Sequence, residues 1–376
     1  MPTKSTSLKQ LRNTLHAEAR GRWALWLLLV TGCGRTPLDN LGGATSEGAA
    51  SGQGGQGNAA GTAGTEGLGG SGGTEVLGSG PSFVSVSAAR ELACGVRTDG
   101  TVACWGDNSK GQATPPAGTF ASVSVGGLLV CGVRTDGTVS CWGDNSYGES
   151  TPPAGTFASV SASSDSACGV RTDGTVACWG DNANGQATPP SGTFASISLG
   201  AFVCGVRTDG TVACWGDNTL GESTPPAGTF ASVSAGEFVG CGVRTDGTVA
   251  CWGDNTIGEA KAPAGTFASV NAGDLLACGV KTDGTVACWG DNSDGEATPP
   301  AGAFASVSAS SAFACGVRTD GTIACWGDNS SGQATPPAGA FASISASSDF
   351  VCGVRTDGTI ACWGNNEFGQ ATPPAP

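Results

Sequence analysis

Residues 131–145 read CGVRTDGTVSCWGDN. Near-copies begin at Cys94, Cys168, Cys204, Cys241, Cys278, Cys315 and Cys352, so the phrase is written eight times, each with two cysteines ten positions apart. Asp136-Gly137 lies between two runs rich in Val and Thr, the signature of a turn between strands. A type I turn closed by a left-handed Gly makes a three-residue loop, Thr135-Asp136-Gly137. Arg134 then faces Thr138, Val133 faces Val139, Gly132 faces Ser140 and Cys131 faces Cys141. Opposite pairs alternate in type, which puts the cysteines on a non-hydrogen-bonded pair. Their Cα atoms are then ~4.5 Å apart, at the lower edge of disulfide geometry. A two-residue loop would slip the register by one and point the two sulfurs to opposite faces.

The cysteine count agrees with this hairpin. The chain has 17 cysteines, which is eight pairs and Cys33. The pairs are Cys94–Cys104, Cys131–Cys141, Cys168–Cys178, Cys204–Cys214, Cys241–Cys251, Cys278–Cys288, Cys315–Cys325 and Cys352–Cys362. Each bridge closes a short loop, worth ~2.8 kcal/mol in the loop-entropy account. Such bonds persist in exported proteins. The ten-residue offset is not the close spacing of zinc knuckles, and no C-x-x-C redox motif occurs.

Outward from the hairpin the chain is periodic. Units begin at Phe83, Phe120, Phe157, Phe194, Phe230, Phe267, Phe304 and Phe341, 37 residues apart except for 36 between Phe194 and Phe230. In the second unit, 120–124 alternates as a half-buried strand does, and 129–134 and 138–142 make two more. No stretch has a 3.6-residue period, so no helix is expected after residue 80. One hairpin face carries the cysteines and valines. The other carries Gly132, Ser140 and Trp142, where small residues would admit a neighbouring sheet and Trp would fill the gap. Sheets apolar on both faces need neighbours on both, and a ring supplies them.

The stretch TDGTIACWGDNSSGQ (319–333) resembles the repeats of the regulator of chromosome condensation family. It also resembles a short-repeat branch of that family, which includes the propeller-type β-lactamase inhibitory protein. The resemblance covers residues 83–376. It implies an all-β propeller, here of eight three-stranded antiparallel blades, with seven as the alternative because the family ring has seven. The first strand, 83–87, could close the ring by completing the blade of the Cys352–Cys362 hairpin. The family's nucleotide-exchange activity is a poor transfer to an exported, acidic chain.

The leading segment has its own signature. Cations up to Arg22 precede an apolar run, 23–30, too short to span a bilayer and suited to an export signal. Val30-Thr31-Gly32-Cys33 resembles the bacterial lipobox, which implies cleavage before Cys33 and a lipid on its sulfur. Gly34 in the next place favours the outer membrane by the same resemblance. Residues 1–32 thus read as a lipoprotein signal and 33–80 as a glycine-rich tether spanning roughly 35–40 Å. Residues 81–376 form the repeat domain.

Charge and composition narrow the function. The chain carries a net charge of −14. So acidic a body repels nucleic acid and anionic lipid. The single histidine, His16, falls in the leader. Ser-His-Asp and Cys-His catalysis and His-ligated metals are therefore excluded after processing. No cofactor, metal or catalytic residue is expected.

Chemical variety concentrates at one end of the units. With the T-D-G turn at the lower end, the D-N-x-x-G turn and the link between the first two strands both lie at the upper end. The turn tips supply the candidate binding residues Lys110, Tyr147, Asn184, Leu220, Ile257, Asp294 and Phe368. Exposed apolar tips among polar neighbours suit a protein partner. Phe202, Phe238, Phe313 and Phe350, each just before a strand, are expected to pack inward. The recurring Asp-Asn is expected to bond backbone amides as an Asx-turn. The Arg beside T-D-G is expected to be solvated. The reading is a monomeric, non-enzymatic envelope lipoprotein that binds a protein partner. The alternatives are an adhesin or spacer without a specific partner, and a secreted enzyme inhibitor.

Overall fold

A computed structural model describes residues 82–375. The expected leader, the lipidation position Cys33 and the tether lie outside the described residues. The described part has 24 strands and no helix. The strands form eight three-stranded antiparallel sheets, each in plain chain order. In unit 2 they are Phe120–Val125, Leu129–Arg134 and Val139–Gly143.

The hairpin has the register that the turn dictates. Val133 faces Val139, Gly132 faces Ser140 and Cys131 faces Cys141. Arg134 N donates to Thr138 O at 2.7 Å, and Gly137 takes φ 84°. The third strand starts one residue later than expected because the turn claims Thr138. Its amide and its hydroxyl donate to Asp136 Oδ1 at 2.9 and 2.7 Å. All eight disulfides form, with Cα atoms 4.0–4.1 Å apart.

Gly132 serves a different neighbour from the one expected. The first strand shifts register between Phe120 and Ser122, and Phe120 folds over its own sheet. A Cβ on Gly132 would stand 2.6 Å from Phe120 Cδ1. The small residue therefore admits the phenylalanine of its own unit, not an adjacent sheet. Trp142 packs edge-on against that ring, centroids 5.7 Å apart.

The lower-end arginine is a second correction. Arg134 is half-buried, with its guanidinium 4.8 Å over the Phe120 ring. Its Nη1 donates to Ala117 O at 3.0 Å and its Nε to Ser140 Oγ at 2.8 Å. It caps the buried phenylalanine by cation–π contact and hydrogen bonds instead of standing free in water. Lys281 takes this place in unit 6.

Neighbouring units interlock by recurring contacts, seen in full between units 1 and 2. Leu92 and Cys94 on the disulfide face of unit 1 pack against Phe120, Val130 and Trp142 of unit 2. Trp142 Nε1 donates to Gln112 O at 2.9 Å, Phe120 N to Gly100 O at 2.8 Å and Val125 N to Ser87 Oγ at 3.1 Å. Unit 8 meets unit 1 in the same way. Trp105 Nε1 donates to Gln370 O at 2.9 Å, Phe83 N to Gly358 O at 2.7 Å and Ala88 N to Ser345 Oγ at 3.0 Å. The eight units thus form an eight-bladed propeller. It joins by packing whole blades: the first strand, Phe83–Ala89, pairs within its own sheet, and Phe341–Ala346 completes the eighth. The expected strand exchange is unnecessary because every unit already carries its own first strand.

First strands lie beside first strands of adjacent units, which sets them nearest the axis. The third strands are outermost, and the chain returns along the outside to the lower end of the next unit.

Candidate functional site

The upper turns are built to hold their tips still. Asp107 Oδ1 accepts the Ser109 amide at 3.0 Å, and Asn108 Oδ1 accepts the Ala113 amide at 2.9 Å. These are the Asx bonds expected of D-N. Asp144 N donates to Leu128 O at 2.9 Å, tying the turn to the upper link of its own unit.

The residue after the turn glycine is a functional support that the sequence reading missed. It is Gln or Glu in every unit, and Gln112, Glu149, Glu259 and Glu296 have no solvent exposure. Gln112 Oε1 accepts the amide of the tip residue Lys110 at 2.7 Å, while its Nε2 donates to Asp107 Oδ2 at 2.7 Å. Gln186 and Gln333 repeat the second bond, to Asp181 and Asp328. In the Glu units Oε2 still accepts the tip amide, that of Tyr147 at 2.7 Å for example. Oε1 of Glu149, Glu259 and Glu296, however, is buried with no donor. Burial pushes the Glu259 carboxyl up, and the Asp254 carboxylate adds to the effect. Burial does the same for Glu296, helped by Asp291 and Asp294. In unit 8 Asn365 replaces the turn Asp, and Gln370 Nε2 loses its acceptor. The available signal was that a position tolerating only Gln and Glu must use the oxygen that both share.

Above these supports the candidate residues Lys110, Tyr147, Asn184, Leu220, Ile257, Asp294 and Phe368 all stand exposed at the tips. Tyr147 is 54 % exposed, Phe368 50 %, Leu220 48 % and Ile257 39 %. Among the described residues the other exposed large apolar side chain is Val84, on a first strand. Joining of units 8 and 1 places Phe368, Lys110 and Tyr147 on three successive units. Leu220 and Ile257 form a second arc on units 4 and 5, with Asn184 and Asp294 on the units that flank it. Lys110 Nζ reaches Asp144 Oδ2 of the next unit at 3.2 Å.

Nearer the axis the upper links converge. Arg90, at φ 52°, leans over unit 2, where a Cβ on Gly127 would come 2.7 Å from Arg90 Cδ. Its guanidinium field reaches Asp165 of unit 3 and Asp274 of unit 6. Burial pushes Asp165 up to about 6, against the pull of Arg90 and with the Glu149, Asp181 and Asp144 carboxylates. Burial and the Glu237 carboxylate push Asp274 up to about 7, with Arg90 opposing. Phe202, Phe313 and Phe350 are fully buried, as expected. Phe238 is not: it stands three residues before its cysteine where the others stand two before theirs, so it falls on the link itself and is only half-buried. Val239 fills the inward place. Among the described residues no group of three His, Cys, Asp or Glu could hold a metal ion.

A family model described as the regulator of chromosome condensation (RCC1) repeat matches residues 83–112, 120–149, 157–186, 230–258, 267–296, 304–333 and 341–370. The unit beginning at Phe194, one residue shorter in its upper link, is outside those matches but folds alike. No curated protein matches the chain. Solved structures do. The ectodomain of the Physcomitrella patens receptor kinase CR4 is 28 % identical, with TM-score 0.53 over 66 % of this chain and 74 % of that one. The CRINKLY WD40 ectodomain of the Arabidopsis thaliana receptor kinase ACR4 is 27 % identical, with TM-score 0.51 over 66 % and 96 %. Prp20p from Saccharomyces cerevisiae, 14 % identical with TM-score 0.51 over 78 % and 85 %, shares the fold.

Proposed function

The chain belongs to the regulator of chromosome condensation (RCC1) repeat family, and from that premise we propose that its propeller is a protein-binding module displayed at the cell envelope. One observation carries the reading. Among the described residues, four of the five exposed large apolar side chains stand on the tips of upper turns. Drift would scatter such residues over both ends, whereas a binding face collects them. The supports beneath the tips cut the ordering cost of docking, since the loops are already fixed.

The envelope setting rests on three supports. Eight disulfides need an oxidising compartment. The lipobox-like Val30–Cys33 offers an anchor, and two of the similar solved structures are receptor ectodomains. The test is affinity capture from envelope extract with the oxidised chain. A parallel bait carries Tyr147→Ala, Leu220→Ala, Ile257→Ala and Phe368→Ala. A protein held by the first bait and lost by the second is the expected result. Identical catches would sink the reading and favour a spacer.

A further inference from the structure

The two ends of the ring differ in charge. Each lower turn pairs one Arg or Lys with one Asp, from Arg97 and Asp99 in unit 1 to Arg355 and Asp357 in unit 8. Those charges cancel unit by unit. Every other ionisable group of the described residues belongs to the upper links, the upper turns or the chain just after them. There 18 acids meet three cations, Arg90, Lys110 and Lys261. Four of the acids are the buried glutamates 149, 222, 259 and 296. The remaining 14 still outnumber the cations by 11. The same end holds Tyr147, Leu220, Ile257 and Phe368.

We propose that the upper face docks a cationic polypeptide surface, in which Lys or Arg side chains answer the acidic ring and apolar side chains seat against the four tips. The proposal rests on the protein-binding reading above and adds the chemistry of the partner. Charge complementarity selects the occupant. A second copy of the chain is disfavoured, because upper face against upper face repels and upper against neutral lower gains nothing. Anionic polymers and lipid are repelled by the same field. A cationic protein gains in two ways, since the field steers its approach and the tips hold it once docked. The tips lie at the outer part of the face, at the end of the outermost strands. The link acids Asp165, Glu237, Asp274 and Asp349 lie nearer the axis. A bound segment can thus touch both sets at once.

The test uses the full oxidised chain and three 12-residue peptides. One alternates Lys with Leu and Trp, one has Glu in place of Lys, and one is oligolysine. The first is expected to bind at least tenfold tighter than either other. Its affinity should fall at least tenfold from 50 to 500 mM NaCl. The Asp294→Lys/Glu367→Lys variant should weaken it at least threefold, and the four-alanine tip variant at least tenfold. If the tip variant loses binding but the Glu peptide binds as well and salt has no effect, the binding face stands and the cationic partner is refuted. If the Lys–Leu–Trp peptide binds equally to all variants, both readings fall. Oligolysine matching that peptide would also overturn the proposal, because the tips would then contribute nothing.

Discussion

Replacing Glu259 and Glu296 together with Gln should stabilise the protein at neutral pH and barely change it in acid. Both carboxyls have no solvent exposure, and Oε1 of each has no donor. Three units of the same ring show what the amide would do. Gln112, Gln186 and Gln333 donate Nε2 to the turn Asp at 2.7, 2.6 and 3.0 Å. The substitution keeps shape and the tip-amide bond, and turns a buried orphan oxygen into a donor. A buried unsatisfied polar group costs about 1–3 kcal/mol, and a hydrogen bond to a charged group returns about as much. Each site should therefore gain about 1–2 kcal/mol at pH 7. In a body of this size the pair should raise Tm by roughly 3–8 °C.

The sign with pH follows from burial. Both folded carboxyls are raised above their ordinary value, so the fold favours the protonated form. Their contribution is fully present below the unfolded pKa, about 4.3, and is lost as pH rises through the folded value. A protonated Glu can donate to the Asp as Gln does, so the variant should gain little at pH 4. The assay is urea unfolding followed by fluorescence of the buried tryptophans, with disulfides intact, at pH 4 and pH 7. Equal gains at both pH values, or none at pH 7, would refute the reasoning.

Gly132→Ala should destabilise unit 2 by about 2 kcal/mol or more, because the new methyl meets the buried Phe120 ring at 2.6 Å and the Ser122 carbonyl oxygen at 3.1 Å; thermal melts against Gly148→Ala, whose surroundings are open and whose φ of 84° supplies backbone strain without a clash, separate the two penalties. Trp252 and Trp289 lack the Nε1 bond that Trp142 makes to the preceding unit, so the junctions of units 4, 5 and 6 should exchange amide hydrogens faster than that of units 1 and 2. Asp274 is raised to about 7, so the stability it lends is present below its unfolded pKa of about 3.9 and lost as pH rises through 7. Asp274→Asn should therefore be more stable than the parent above pH 7 and equal to it near pH 4, read from urea midpoints. The lower-turn Asp136 has the opposite sign: the Thr138 hydroxyl and amide hold it below the ordinary range, so its contribution is present above about pH 3.9 and lost as pH falls through the folded value. The urea midpoint of Asp136→Asn should be flatter than the parent's in that acid window.

The local structure was legible in the sequence. Asp136-Gly137 set a turn that only one loop length satisfied with the sulfurs facing each other, and that fixed strand register and the disulfides together. The period and the two apolar faces of each hairpin called for stacked blades, and the position of the tips at one end followed from strand direction. Arg134 was misread because the bulge that brings the Phe120 ring beneath it is not written in the sequence; the offset of Phe238, three residues before Cys241 where Phe202 stands two before Cys204, was legible and was overlooked. The buried Gln and Glu were missed because composition marks them as surface residues, and only the turn closing above them removes water.

Sequence by itself determined what depends on neighbours along the chain: hairpin, register, cysteine pairing and repeat. Those follow from backbone geometry and a period of two, which act over a few residues. Tertiary structure alone decided what depends on residues far apart in the chain. It brought Phe368 beside Lys110 by joining the eighth unit to the first. It drew Arg90, Asp165 and Asp274 into one field at the axis. It also left three glutamates with a buried oxygen and no donor. Such effects arise from exclusion of water and from through-space charge, and neither quantity exists until the ring is assembled.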